Sequence, residues 1–203
     1  MGLSMMSVWS KTLALAAFVI GFGSGVSASD KLIVPERYKS FTLYTEERGS
    51  LKPKVIVAFH GFASAMPNGA FKRLRRVLRE DYSILGFNYD YFDLDANGAA
   101  LDTAWNEVLK RYDVTFVGTS LGGFWANYYA GKYGVNRVVL VNPVVEPHRQ
   151  LQQFIGEIYV EKRDVTLNVT QADIDQYKGL ESPSGAESKR LVILTQDDAI
   201  LDY

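Results

Sequence analysis

The sequence predicts an α/β fold: a doubly wound, mainly parallel sheet with helices on both faces. Three runs rich in apolar and β-branched residues, at residues 55–59, 114–117 and 137–141, are typical of strands that are buried on both faces. Segments with the apolar spacing of helices separate these runs, and such alternation implies right-handed crossovers and a parallel sheet. The chain has 203 residues, of which 47% are hydrophobic and 22% charged, which fits one globular domain.

The N-terminus has the pattern of a secretory signal peptide. Lys11 precedes an apolar run at residues 12–22, and small residues ending at Ala28 follow it. The run is shorter than the roughly 20 apolar residues that cross a bilayer. We therefore expect residues 1–28 to be removed and residues 29–203 to be exported as a periplasmic or secreted domain. An uncleaved membrane anchor is the alternative.

Composition excludes several classes of site. Lys and Arg number 22 against 23 Asp and Glu, so the net charge of −1 does not favour nucleic acid or an anionic membrane as a partner. The sequence has no cysteine, which excludes a disulfide framework, a thiolate nucleophile and a zinc–thiolate site. We expect neither a metal nor an organic cofactor.

Several strands and helices are predicted between residues 41 and 112. Alternating apolar residues at 41–45 predict an edge strand. Asn68 is expected to cap a helix with one apolar face. Residues 82–87 predict a further strand, residues 88–95 an aromatic and acidic loop, and residues 99–112 a helix.

The last third of the chain is less periodic. Residues 146–188 are expected to form a small cap-like insertion between two strands of the sheet. Within it, residues 150–156 and 171–178 predict helices. Residues 191–194 predict the last strand.

The most informative stretch is Gly118-Thr119-Ser120-Leu121-Gly122. It lies between a β-branched apolar run and a helix, which is the context in which Gly-x-Ser-x-Gly forms a nucleophile elbow. In such a turn the serine backbone is strained, so that its hydroxyl projects from the sheet. Gly118 and Gly122 are expected because a Cβ at either position would collide with the neighbouring strand or helix. We predict that Ser120 is a nucleophile; an inert serine in a buried turn is the alternative.

Other polar motifs also follow predicted strand ends. They are His60-Gly61-Phe62, Asn142-Pro143 and Asp197-Asp198. Ligands of open parallel sheets bind beyond the carboxyl ends of the strands. We therefore expect these motifs to meet Ser120 at one edge of the sheet.

Over most of residues 54–203 the sequence resembles the α/β-hydrolase superfamily and, more narrowly, the YqiA-like small bacterial esterases. The matching pieces are Phe59-His60-Gly61-Phe62-Ala63-Ser64, Val117-Gly118-Thr119-Ser120-Leu121-Gly122-Gly123, Val141-Asn142-Pro143 and the final segment from Asp198 to Tyr203. The elbow is specific to the superfamily, and the Asn-Pro and Leu-Asp-Tyr pieces point to the narrower family.

The resemblance implies a role for each matching residue. Ser120 would form an acyl-serine with a small-molecule ester or thioester, and the backbone N–H groups of Phe62 and Leu121 would form the oxyanion hole. Asp198 would be the acid of the triad, with Asp197 as its close rival. His60 and Gly61 would fix the loop, and no metal is implied.

The general base is the difficulty of this interpretation. The superfamily order is serine, acid and then histidine, but the two histidines of this sequence, His60 and His148, both precede Asp198. The sequence ends at Tyr203, five residues after that acid. We therefore expect either a truncated hydrolase with little activity or a non-catalytic binding protein that lacks the base. His148 is interpreted as a surface residue, and the oligomeric state is not predicted.

Overall fold

A six-stranded sheet forms the centre of the computed structural model, which describes residues 43–47, 50–180 and 188–195. The strands along the chain are β1 (Leu43–Thr45), β2 (Lys54–Phe59), β3 (Ser83–Phe87), β4 (Asp113–Thr119), β5 (Arg137–Val141), β6 (Gly156–Val160), β7 (Val165–Val169) and β8 (Lys189–Ile193). The sheet order is β1-β3-β2-β4-β5-β8, and β6 pairs with β7 in a separate hairpin. Strand β1 is antiparallel to β3, whereas the other four pairings of the sheet are parallel.

Helices cover both faces of this sheet. They are α1 (Gly69–Leu78), α2 (Leu94–Glu107), α3 (Leu121–Tyr133), α4 (Pro147–Gln150) and α5 (Gln171–Asp175), with 3-10 turns at Leu109–Arg111 and Gln152–Phe154. One face packs Ile56 and Val139 against α1, while the other packs Phe59 and Phe116 with the aromatic side of α3. The predicted doubly wound, mainly parallel α/β fold is confirmed.

Local side-chain chemistry explains where two helices begin. Asn68 accepts a hydrogen bond from the Phe71 N–H, as a helix cap does. Helix α2 begins at Leu94, five residues before the predicted start at 99, because Asp93 accepts a hydrogen bond from the Ala96 N–H. The predicted end at 112 is replaced by the 3-10 turn at Leu109–Arg111.

The insertion between β5 and β8 differs from its prediction. The helix expected over 150–156 is instead the short α4 followed by a 3-10 turn, and the helix expected over 171–178 ends at Asp175. The β6–β7 hairpin was not predicted, although its buried residues Val160 and Val169 sit on strands with alternating side chains.

Three predictions concern residues outside those that the structure describes: the signal peptide at 1–28 and both candidate acids, Asp197 and Asp198. In the described part of the chain, every helix is too short or too polar to cross a bilayer.

Candidate active site

Ser120 lies at the turn between β4 and α3, at the carboxyl edge of the sheet. Its backbone has φ 54° and ψ −126°, a conformation that a residue with a side chain rarely adopts. The Ser120 N–H donates to the Val141 carbonyl at 3.0 Å, which ties the turn to the neighbouring strand β5. The Ser120 hydroxyl does not cap α3, and the residue is partly exposed. The Ser120 side chain is therefore not used to cap the helix that follows it.

Two glycines let the chain pass through this turn. A Cβ on Gly118 would lie 2.1 Å from the Gly122 carbonyl oxygen, and a Cβ on Gly122 would lie 2.3 Å from the His60 carbonyl oxygen. Backbone atoms occupy both positions, so a side chain could be accommodated only by moving a strand or the first turn of α3.

The loop after β2 lies directly beside the serine. A Cβ on Gly61 would be 3.3 Å from the Ser120 Cβ and 3.8 Å from its Oγ. The next residue, Phe62, is half-buried, and Ala63 has φ 52°. Leu121, the first residue of α3, is fully buried, and helix geometry leaves its N–H without an intrahelical partner. The structure thus brings Gly61 beside Ser120, the residue that precedes Leu121.

Two buried tyrosines hold the carbonyls of this loop. The Tyr89 hydroxyl donates to the His60 carbonyl at 2.6 Å, and the Tyr91 hydroxyl donates to the Ser64 carbonyl. Burial raises the pKa of both phenols, so each remains a neutral donor at physiological pH. The loop is therefore anchored at both of its ends.

His60 is fully buried in this loop. Its ring stacks on Tyr89 with the centroids 4.3 Å apart. Its Nδ1 lies 2.9 Å from the Gly61 carbonyl oxygen, and its Nε2 lies 3.4 Å from Nη2 of Arg163. Burial, reinforced by the Arg163 charge, lowers the His60 pKa to about 3.

The protonation of His60 follows from these contacts. An arginine can only donate, so Nε2 is an acceptor and Nδ1 carries the proton that is donated to Gly61. Because both ring nitrogens of this neutral imidazole are engaged, His60 is not arranged to take a proton from Ser120.

His148 lies on α4 and is partly exposed. It lines a cavity of about 480 Å³ beside α3, together with Phe124, Tyr177 and Arg190. Ser120 is not one of the described residues that line this cavity.

Asn142 joins the ends of β5 and β8. Its Nδ2 donates to Thr195 Oγ1 at 2.8 Å, and its Oδ1 accepts from the Thr195 N–H at 2.9 Å. The Asn142 N–H also donates to the Ile193 carbonyl, and its φ of 41° turns the chain. These contacts hold Thr195, which precedes Asp197 by two residues, next to the end of β5.

Sequence reasoning missed three residues of this site. Tyr89 and Tyr91 alternate directly after β3, a pattern that places both at the carboxyl edge and could have indicated their role. Arg163 lies in the β6–β7 turn and gave no signal. Among the described residues, no group of three or more His, Asp or Glu side chains is placed to hold a metal ion.

Comparisons with known proteins agree with the fold. The model of an uncharacterised protein family, UPF0227, matches residues 55–203. No curated protein matches the chain.

Several solved structures share the architecture. A monoacylglycerol lipase of Paleococcus ferrophilus is 14% identical with a TM-score of 0.54, over 75% of this chain and 77% of that one. The capsule O-acetyltransferase of Neisseria meningitidis serogroup A is 15% identical with a TM-score of 0.50, over 74% of this chain and 72% of that one. A chain of the glycosylation-associated Gap123 complex of Streptococcus agalactiae is 13% identical with a TM-score of 0.47, over 76% of this chain but 36% of that one. The likeness to the lipase, at 14% identity, is one of fold alone, the α/β-hydrolase fold.

Proposed function

Because the chain belongs to the UPF0227 family of YqiA-like proteins and has an α/β-hydrolase fold, we propose that it is a serine hydrolase of small-molecule carboxylic esters or thioesters. The observation that carries the proposal is the positive φ of Ser120, a partly exposed residue whose Oγ lies 3.8 Å from the position that a Cβ on Gly61 would occupy. Strained residues of this kind persist where surrounding structure enforces them, as at catalytic sites.

The proposed reaction passes through an acyl-enzyme. Ser120 Oγ attacks the substrate carbonyl carbon, its proton leaves to a base, and the negative charge collects on the carbonyl oxygen. The N–H groups of Phe62 and Leu121 would stabilise that oxygen. The alcohol or thiol leaves with a proton, and water then attacks the acyl-Ser120 to release the carboxylic acid. An acceptor other than water would make the same site an acyltransferase.

The proposal also concerns the acid and the base that would assist Ser120. We assign Asp198 as the acid, with Asp197 as the alternative, since the Asn142–Thr195 contact fixes the chain just before them. His60 does not fit the role of base, because its Nδ1 faces Gly61 and its Nε2 faces Arg163.

That engagement of His60 favours one second candidate, a non-catalytic binding protein that retains the serine turn. The two candidates differ in the reactivity of Ser120. A serine hydrolase that lacks one triad member still accelerates its reaction about 10³-fold over water through the oxyanion hole and substrate binding. A binding protein does not require an activated hydroxyl. We therefore expect slow but serine-dependent chemistry.

A fluorophosphonate probe tests the proposal. We expect the wild-type protein to be labelled and Ser120→Ala to remain unlabelled. Ser64→Ala is the matched control, since Ser64 lies on the adjacent loop and uses its carbonyl rather than its hydroxyl to bind Tyr91. Equal labelling of the wild type and Ser120→Ala, or labelling of neither, would support the binding protein instead.

We also propose that the protein is exported, because Lys11, the apolar run at 12–22 and the small residues up to Ala28 form a signal-peptide pattern. N-terminal sequencing of the protein recovered from the producing cells tests this. A mature chain beginning at Ser29 is expected, and a protein that retains residues 1–28 in the cytoplasm would contradict it.

A further inference from the structure

Arg163 reaches from the β6–β7 turn to the loop beside the serine. Its Nη2 donates to the Tyr89 carbonyl at 2.6 Å and lies 3.4 Å from His60 Nε2. Its guanidinium carbon lies 4.6 Å from the centroid of the Tyr91 ring, within the range of a cation–π contact. One side chain therefore contacts His60 and both tyrosines that anchor the loop at residues 60–64, which we name the oxyanion loop.

These partners are all neutral. In the described part of the chain, Arg163 pairs with a carbonyl, an imidazole nitrogen and an aromatic face, and no carboxylate is within salt-bridge distance. A guanidinium tolerates this environment better than an ammonium, because it is more weakly hydrated and stacks on aromatic rings. This position therefore suits an arginine better than a lysine.

The contact continues to the backbone of the oxyanion loop. Arg163 donates toward His60 Nε2, which leaves the ring proton on Nδ1, and Nδ1 donates to the Gly61 carbonyl. The Gly61 carbonyl and the Phe62 N–H belong to one planar trans peptide, so they point in opposite directions. Whatever fixes the Gly61 carbonyl therefore also fixes the direction of the Phe62 N–H.

We propose that Arg163 is a positioning residue that sets the Phe62 N–H of the oxyanion hole through the tautomer of His60. The inference rests on the proposed function of Phe62 and Leu121, and it assigns the β6–β7 hairpin a task in the reaction. Without Arg163 the His60 proton can move to Nε2, the Gly61 carbonyl loses its donor, and the Gly61–Phe62 peptide is free to rotate.

The first test reads the tautomer directly. With ¹⁵N-labelled histidine the protein gives two imidazole systems, and His148→Gln assigns the one from His60. We expect wild-type His60 to be protonated at Nδ1 alone and Arg163→Met to shift protonation substantially to Nε2. Arg149→Met, at an exposed arginine paired with Glu146, is the control and leaves the His60 signals unchanged. A wild-type proton on Nε2, or the same tautomer in Arg163→Met, would overturn the inference.

The second test measures the oxyanion hole with the fluorophosphonate probe. We expect Arg163→Met to lower the maximal labelling rate about 10- to 100-fold, with little change in the half-saturating probe concentration. This loss is at or below the one caused by removing a hydrogen-bond donor from an oxyanion hole. Arg163→Lys retains the charge but not the planar guanidinium, so we expect its maximal labelling rate to lie between those of the wild type and Arg163→Met. If Arg163→Met does not fold, Arg163→Lys is compared with the wild type in its place.

The two tests separate this inference from the proposed function. Absence of labelling at Ser120 in the wild type contradicts the hydrolase, while the tautomer of His60 still decides whether Arg163 orients the loop. Labelling of the wild type and Arg163→Met at equal rates contradicts the positioning role, with the hydrolase intact.

Discussion

The carbonyl oxygen of His60 lies 2.3 Å from the position that a Cβ on Gly122 would occupy. Helix α3 and the oxyanion loop are thus in direct backbone contact, without intervening side chains. Since the loop carries the Phe62 N–H and the helix begins next to Ser120, the two halves of the proposed site are spaced by main-chain packing.

Gly122→Ala is expected to destabilise the protein by about 3 kcal/mol or more, because its methyl group would overlap the carbonyl oxygens of Phe59 and His60. Urea unfolding measures the loss. Gly98→Ala, within α2 and with no atom within 4 Å of its Cβ position, is the control and should stabilise by about 0.5–1 kcal/mol. Equal effects of the two substitutions would contradict the close contact.

The low pKa of His60 predicts a pH dependence of stability. The pKa is about 3 in the folded protein and 6.5 in the unfolded chain, so between these values the unfolded chain binds a proton that the folded protein does not. His60 therefore lowers the free energy of unfolding as pH falls below 6.5, by about 1.4 kcal/mol per pH unit, and has no such effect above 6.5.

His60→Gln isolates this contribution. Between about pH 6.5 and pH 5 the wild type is expected to lose about 2 kcal/mol more than the variant in urea unfolding. His148→Gln, at a partly exposed histidine, is the control and should follow the wild type. Parallel curves for wild type and His60→Gln would show that His60 titrates normally.

The Asn142–Thr195 contact is expected to be measurable as a coupling energy. Asn142→Ala removes the amide that accepts from the Thr195 N–H and donates to its hydroxyl, and we expect a loss of about 1–3 kcal/mol. Thr195→Val removes only the hydroxyl. A double-mutant cycle should give about 0.5–1.5 kcal/mol of coupling, and additive losses would show that the hydrogen bond from the Asn142 amide to the Thr195 hydroxyl does not contribute to stability.

The sequence allowed the serine turn and the positions of most strands along the chain to be predicted because both depend on local rules. The turn at Ser120 requires small residues on both sides, and these lie within the five consecutive residues 118–122. A continuous apolar run such as 55–59 is typical of a buried strand. Helix α2 was predicted five residues too late in the chain because its first turn depends on the Asp93 cap rather than on apolar spacing.

The remainder depended on contacts between distant parts of the chain. Strands β6 and β7 have five residues each and are mostly exposed, so their alternation is weak. Arg163 meets His60 across 103 positions of sequence. Neither residue type nor local pattern distinguishes this arginine from the exposed Arg149, whose partner lies three residues away.

An activated Ser120 should form a covalent acyl-enzyme, which can be trapped and located in the chain. The protein is mixed with p-nitrophenyl acetate, quenched with acid and digested, and its peptides are analysed by mass spectrometry. We expect an acetyl group on Ser120 that is absent from Ser120→Ala and retained in Ser64→Ala. Acetylation confined to lysines, at the same level in the wild type and Ser120→Ala, would contradict it.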